Sequence, residues 1–211
     1  LYMLSKKPLS KSAFPIGKIQ KQEVRQLAKK AGLPIAEKKD STGICFVGER
    51  NFRKFLERYL PEQPGDIISN EGKKVGTHDG LMYYTIGQRK GLGIGGGHGK
   101  SNSPWYVIEK IMDKNILIVC QGNDHPLLYS NIITASQLHW ISGTAPDEGK
   151  QLAAKIRYRQ KDKTCKIEPV NDDSAIIYFE EPVFAAAPGQ SVVLYDGEIC
   201  LGGGIIEPYV N

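Results

Sequence analysis

Six short runs of β-forming residues crowd roughly the last 80 positions of the chain, and no other feature limits its possible folds so strongly. Ile132 to Ile141, Leu152 to Gln160, Thr164 to Val170, Ala175 to Glu180, Ser191 to Tyr195 and Glu198 to Ile206 follow one another with turn signals between them. Asp196-Gly197 is the clearest hairpin turn, because an Asp-Gly pair accepts the left-handed backbone that a two-residue connection demands. Runs this short and this closely spaced predict a small antiparallel barrel or sandwich. A boundary near Asn123 to Tyr129 precedes it.

Upstream the pattern changes. Asp66 to Ser69, Leu81 to Ile86, Trp105 to Met112 and Ile116 to Cys120 read as further strands, the last two flanking Asp113-Lys114-Asn115 as a hairpin. Gly87 to Ser103, glycine-rich and basic, reads as a long loop that is either simply mobile or moves to cover a substrate. Before Pro61 the period is helical: Val24, Leu27, Ala28 and Ala31 lie at i, i+3, i+4 and i+7, with Gly32 and Pro34 to end the helix. A second helix is predicted from about Glu49 to Leu60, and the segment Lys38 to Phe46 reads as a loop feeding it. The fold class is therefore mainly β with a small α-helical N-terminal portion, in three segments: 1–60, 61–125 and 126–211.

Composition excludes several classes. With 40% hydrophobic and 24% charged residues in 211, the chain matches an ordinary globular protein. No window approaches the roughly 18 apolar residues of a membrane-spanning helix, and Leu1 to Lys7 lacks the apolar core of a signal peptide, so a cytoplasmic protein is expected. The chain begins at Leu rather than Met, which reads as a piece of something longer. Cys45, Cys120, Cys165 and Cys200 form no CxxC pair, and His78, His98, His125 and His139 are equally scattered, so no metal site is expected.

Charge is unevenly distributed. Residues 1–60 carry 14 Lys/Arg against 5 Asp/Glu, whereas 61–211 carry 14 against 18, giving +9 and −4. Such a split fits either a solvated lysine-rich face or one end that meets a polyanion such as nucleic acid. In Lys155, Arg157 and Arg159, alternating with Ile156 and Tyr158, a strand would line three cations on one face: a phosphate-reading ridge with an aromatic beside it, or an edge protected from aggregation.

Cys45 differs from the other cysteines. It lies in a polar loop just before a predicted helix N-terminus and close to Arg50 and Arg53, where positive potential favours a nucleophilic thiolate; the alternative is a small residue packed between Ile44 and Phe46. Two nucleotide motifs fail on inspection. Gly91, Gly93 and Gly96 satisfy G-x-G-x-x-G, but Ser101 to Pro104 follow where a helix should start. Gly99-Lys100-Ser101 resembles the end of a Walker A loop, but Ile94 occupies the place of its first glycine.

Asp40-Ser41-Thr42-Gly43-Ile44-Cys45-Phe46-Val47-Gly48-Glu49-Arg50 and Tyr84-Thr85-Ile86-Gly87-Gln88-Arg89-Lys90-Gly91-Leu92-Gly93-Ile94-Gly95-Gly96 resemble the tRNA-specific 2-thiouridylase family. Phe14 to Gly17, Glu23 to Arg25, Arg157 to Gln160 and Pro188 to Gln190 occur in the same order as in that family. The resemblance implies that 1–60 is the end of a PP-loop catalytic domain, 61–125 a central β domain and 126–211 a tRNA-binding β-barrel. It implies thiolation of the wobble uridine, with ATP (as its Mg complex) bound by a domain marked by SGGxDS, which this sequence lacks, and with a cysteine desulfurase or relay protein as sulfur donor. Cys45 would carry the persulfide, later forming a disulfide with a second cysteine outside this sequence, and Arg157, Tyr158 and Gln190 would contact tRNA. The chain alone is then expected to be inactive. The competing expectation is a non-catalytic RNA-binding barrel module with structural cysteines.

Overall fold

The computed structural model describes residues 1–39, 58–95, 103–158 and 160–208. The chain divides into two compact units, Lys7–Pro61 and Leu1–Lys6 with Glu62–Asn211. Helix α1 (Lys6–Ser10) is a single turn. In the smaller unit, α2 (Lys21–Lys30) forms where the helical period predicted it. It ends on a closing turn in which the Gly32 N–H donates to Lys29 O and the Leu33 N–H to Ala28 O. No residue of α2 is fully buried. The helix predicted from Glu49 falls almost wholly outside the described residues; its last three positions, Arg58 to Leu60, form a turn.

The larger unit holds two cores. The first lies on a four-stranded sheet, β1 (Gly65–Ser69), β2 (Lys74–His78), β3 (Trp105–Ile111) and β4 (Ile116–Gln121), ordered β2-β1-β4-β3. The sheet is mixed: β1 runs parallel to β4, and the other pairs, including the expected β3–β4 hairpin, are antiparallel. Ile67, Val75, Val107, Leu117 and Val119 pack with Leu81, Tyr84 and Leu92. Leu81 to Ile86 is not the strand its composition predicted. Leu81–Tyr83 makes a 3-10 turn and Tyr84 returns to extended backbone, because Leu81 and Tyr84, three residues apart, must both turn into the same core.

His78 is 1% exposed. Its Nδ1 accepts the Gly80 N–H at 3.1 Å, so Nε2 carries the proton it donates to Asn115 O, also at 3.1 Å. This histidine stitches β2 to the β3–β4 turn and has no free nitrogen for a ligand.

The second core fills a closed six-stranded antiparallel barrel of order β10-β5-β8-β7-β6-β9. Its strands are β5 (Tyr129–Trp140), β6 (Leu152–Lys155), β7 (Lys163–Pro169), β8 (Ala175–Phe184), β9 (Ser191–Asp196) and β10 (Ile199–Ile206). Alternation puts Val192 and Leu194, Cys165 and Ile167, and Ala175, Ile177 and Phe179 inside. Small Ala135, Ala154 and Ala175 sit among larger aliphatics, as a narrow barrel interior requires. The Asp196-Gly197 turn joins β9 to β10 as expected. Closure is tightest along Gly202, Gly203 and Gly204, where a Cβ would lie 2.0 to 2.5 Å from a backbone carbonyl of a neighbouring strand. The first residues of the chain lie on this barrel: the Tyr2 and Ser191 hydroxyls are 2.8 Å apart, and the Lys6 N–H donates to Ile141 O.

Candidate functional site

The strand expected from Leu152 to Gln160 stops at Lys155, whose pairing with Val193 is the last rung of the β6–β9 ladder. Beyond it the chain turns, the Gln160 N–H donating to Arg157 O. The expected ridge of cations on one strand face is therefore not formed. Lys155 lies over the Tyr195 ring, 5.1 Å from its centroid, and Ile156 is buried. Arg157 reaches away across the barrel end, and Arg159 lies outside the described residues. Ile156 and Tyr158 do not share a face either, since Tyr158 is 93% exposed.

Arg157 instead joins three segments. Its Nη2 donates to Ile86 O at 3.0 Å and to Ala185 O at 3.3 Å, and its guanidinium carbon stands 5.9 Å from the Phe184 ring centroid. Phe184, at the end of β8, meets the edges or faces of Tyr106 from β3 and Tyr129 from β5 at centroid separations of 6.3 and 5.5 Å. The barrel and the sheet thus meet through an aromatic cluster capped by one arginine. The approach is close: at Gly87, φ +79°, a Cβ would stand 2.3 Å from that of Ala185. Ala185 itself has φ +54° and is held by donating its N–H to Leu128 O.

Gln190 is exposed and closes the connection that Ala185 opens, its N–H donating to Ala187 O and its carbonyl accepting the Ile206 N–H. Arg157 and Tyr158 are therefore neighbours in one turn, and Arg157 binds the same β8–β9 connection that presents Gln190. Sequence reasoning missed Lys110, whose ammonium donates to Tyr84 O at 3.1 Å, and missed Phe184. Neither carries a local signal, because Lys110 acts on a segment 26 residues away in the chain and Phe184 acts across the sheet–barrel contact.

Cys45 lies outside the described residues. Cys120, Cys165 and Cys200 are free thiols. Burial pushes Cys120 up to about 11; burial, with Glu180 adding to it, takes Cys165 up to about 12; Cys200 is raised mainly by burial. At neutral pH the thiolate fraction is about one in ten thousand for Cys120 and smaller for Cys165. A cavity of about 470 Å³ at one end of the barrel, lined by Leu138, Trp140, Ile167, Pro169 and Val170, has Asp172 as its single ionisable lining residue. It offers no nucleophile or base pair. No described helix is long and apolar enough to cross a membrane.

Family models divide the chain in three. One for the tRNA methyl transferase HUP domain matches residues 1–49, one for the tRNA methyl transferase PRC-barrel domain 53–121, and one for the aminomethyltransferase beta-barrel domain 130–206. The tRNA-specific 2-thiouridylase MnmA of Thiobacillus denitrificans is 57% identical over 206 residues, 98% of this chain and 58% of that protein. That of Shewanella halifaxensis is 53% identical over 211 residues, 100% of this chain and 57% of that protein. The chain thus spans a little under three fifths of the length of these relatives. With identity this high along its whole length, and a closed barrel behind a mixed sheet where two of the family models match, the chain belongs to the tRNA-specific 2-thiouridylase MnmA family.

Proposed function

We propose that this chain is the sulfur-carrying and tRNA-binding part of a tRNA-uridine 2-sulfurtransferase acting on the wobble uridine. What carries the reading is the identity of 57% over 206 residues to a protein named tRNA-specific 2-thiouridylase. Residues 1–60 would belong to the catalytic domain, 61–125 to a central domain and 126–211 to a tRNA-binding barrel. A tRNA substrate makes the cytoplasm its place of work.

Cys45 is the persulfide carrier in this reading. Uridine O2 is a poor leaving group until it is activated as an adenylate, and ATP is the co-substrate that does so. No SGGxDS occurs in this sequence, and the described part of the glycine-rich loop, through Gly95, is turn and coil without a helix to receive phosphates, so we assign this chain no ATP contact. The terminal sulfur of the Cys45 persulfide attacks C2, and AMP departs with O2. A second cysteine, from outside this sequence, then attacks Cys45 Sγ; a disulfide forms, the sulfur–sulfur bond to the uridine-bound sulfur breaks, and 2-thiouridine is released. A cysteine desulfurase, directly or through a relay protein, reloads the thiol after reduction. Arg157, Tyr158 and Gln190 contact tRNA: the guanidinium keeps Nε and Nη1 for phosphate, and the uncovered tyrosine ring offers a stacking face.

Thiol labelling separates this reading from a non-catalytic RNA-binding barrel. In the folded protein at neutral pH, iodoacetamide is expected to modify Cys45 and to leave Cys120 and Cys165 unmodified, as scored by peptide mass spectrometry. A Cys45 that resists both alkylation and persulfidation would favour the barrel module instead.

A further inference from the structure

The segment Tyr84 to Lys90 has no regular secondary structure, yet it is held at every second residue. Lys110 Nζ donates to Tyr84 O and Arg157 Nη2 to Ile86 O, at 3.1 and 3.0 Å. The Gly87 N–H donates to Val107 O at 2.7 Å, and the Val107 N–H to Gln88 O at 3.0 Å, zipping the segment to β3. The Gln88 side chain braces it from within, Oε1 accepting the Thr85 N–H and Nε2 donating to Lys90 O. A strap so fastened is a fixed platform, and what it presents to solvent is Arg89 and Lys90, both exposed.

The surrounding charges lack an internal answer. Among the described residues Lys74, Lys150 and Lys163 pair with Asp66, Asp196 and Glu181, whereas no carboxylate pairs with Arg89, Lys90, Lys110 or Arg157. Gathering four cations without a counter-charge raises the local potential and favours an anion from outside. Burial lowers the pKa of Lys110, whose ammonium is held by the Tyr84 carbonyl. From Ile86 to Arg89 is three residues, a span of at most about 10 Å. A chain of phosphates could therefore pass from Arg157 to Arg89. Tyr158, uncovered beside Arg157, adds a base-stacking face that an acidic peptide would have no use for.

We propose that the Tyr84–Lys90 strap is a second RNA-backbone contact, in which Arg89 and Lys90 meet phosphates while Lys110 and Arg157 position the strap beside Tyr158. The proposal rests on the reading of the barrel as tRNA-binding. Arg157 is then shared, one nitrogen fixing the strap and the others free for RNA, so that RNA on the barrel and the conformation of the strap are coupled.

The test uses the full-length protein and an unmodified tRNA with a wobble uridine, titrated at several KCl concentrations, with amide hydrogen exchange of the free protein alongside. Replacing Arg89 and Lys90 together by alanine is expected to reduce the magnitude of the log–log salt slope by about two and to leave exchange at Gly87 and Val107 unchanged. Arg157→Ala is expected to lower the slope by about one and also to speed exchange at those two amides about tenfold. Lys110→Met is expected to speed the same exchange and weaken binding, with Lys110→Arg restoring both. An unaltered slope in the double variant overturns the strap contact, and unaltered exchange in Lys110→Met overturns the clamp. If Arg157→Ala and Tyr158→Ala weaken binding while the double variant does not, the strap falls and the barrel reading stands. If none of these variants changes affinity or slope, both fall.

Discussion

Cys45→Ser in the full-length protein is expected to lower 2-thiouridine formation by at least about a thousandfold while changing tRNA affinity less than about twofold. The asymmetry follows from chemistry. A serine hydroxyl has nearly the size of a thiol but cannot hold a sulfane sulfur, so the variant loses the carrier itself rather than its orientation. Nor can another thiol of this chain substitute: Cys120 and Cys165 are buried with pKa values near 11 and 12, and Cys200 is raised in the same direction. The measurement is nucleoside analysis of digested tRNA by chromatography with mass detection, using a persulfide donor with free sulfide excluded, since free sulfide could attack an activated uridine without a carrier. Normal thiolation by the variant would remove Cys45 from the mechanism. Loss of both thiolation and tRNA binding would mean that the substitution acted on the fold.

The second large effect concerns stability. Gly203→Ala is expected to destabilise the barrel by about 3 to 5 kcal/mol and to lower the midpoint of its thermal transition by roughly 12 to 40 °C. A Cβ at Gly203 would stand 2.1 Å from Val192 O and 3.0 Å from Val193 Cα, both backbone atoms of β9. No rotamer change relieves a contact with backbone, so β9 and β10 must part at residues that pair directly, Gly203 with Val193 and Gly204 with Val192. Gly95→Ala is the control. Nothing lies within 4 Å of its Cβ position and its φ is not positive, so calorimetry should find it within about 0.5 kcal/mol of the parent. Equal stability of the two variants would show that the seam yields more readily than close-packed backbone should.

Short β-forming runs bounded by turn signals made all six barrel strands readable, and in β8 and β9 Ile177 and Phe179 or Val192 and Leu194 point inward at every second position. The same rule missed β2. Its five residues, Lys74 to His78, contain one aliphatic side chain, and a histidine supplies the other buried position. β-forming composition misled at Leu81 to Ile86, where apolar residues serve a turn into the core rather than a ladder. At Lys155 to Arg159 the alternation was real but the strand was not, since a sequence does not announce where its pairing partner ends. The site divides in the same way. The resemblance singled out Cys45, Arg157, Tyr158 and Gln190; of these Cys45 lies outside the described residues, and Arg157 and Tyr158 are neighbours in one turn at the barrel end. The hold of Lys110 on Tyr84 O joins segments 26 residues apart, and the aromatic cluster around Phe184 joins segments still more distant in the chain, contacts that no local pattern encodes.

Because the barrel is sealed all the way round, it offers no open edge to which a foreign strand could add. In the function proposed above, tRNA is met by the connections at the barrel's ends, the turn holding Arg157 and Tyr158 and the one presenting Gln190. Substrate preference can then drift by exchanging residues in those connections while the hydrogen-bonded wall stays unchanged, which separates the part of the molecule that evolves from the part that merely persists.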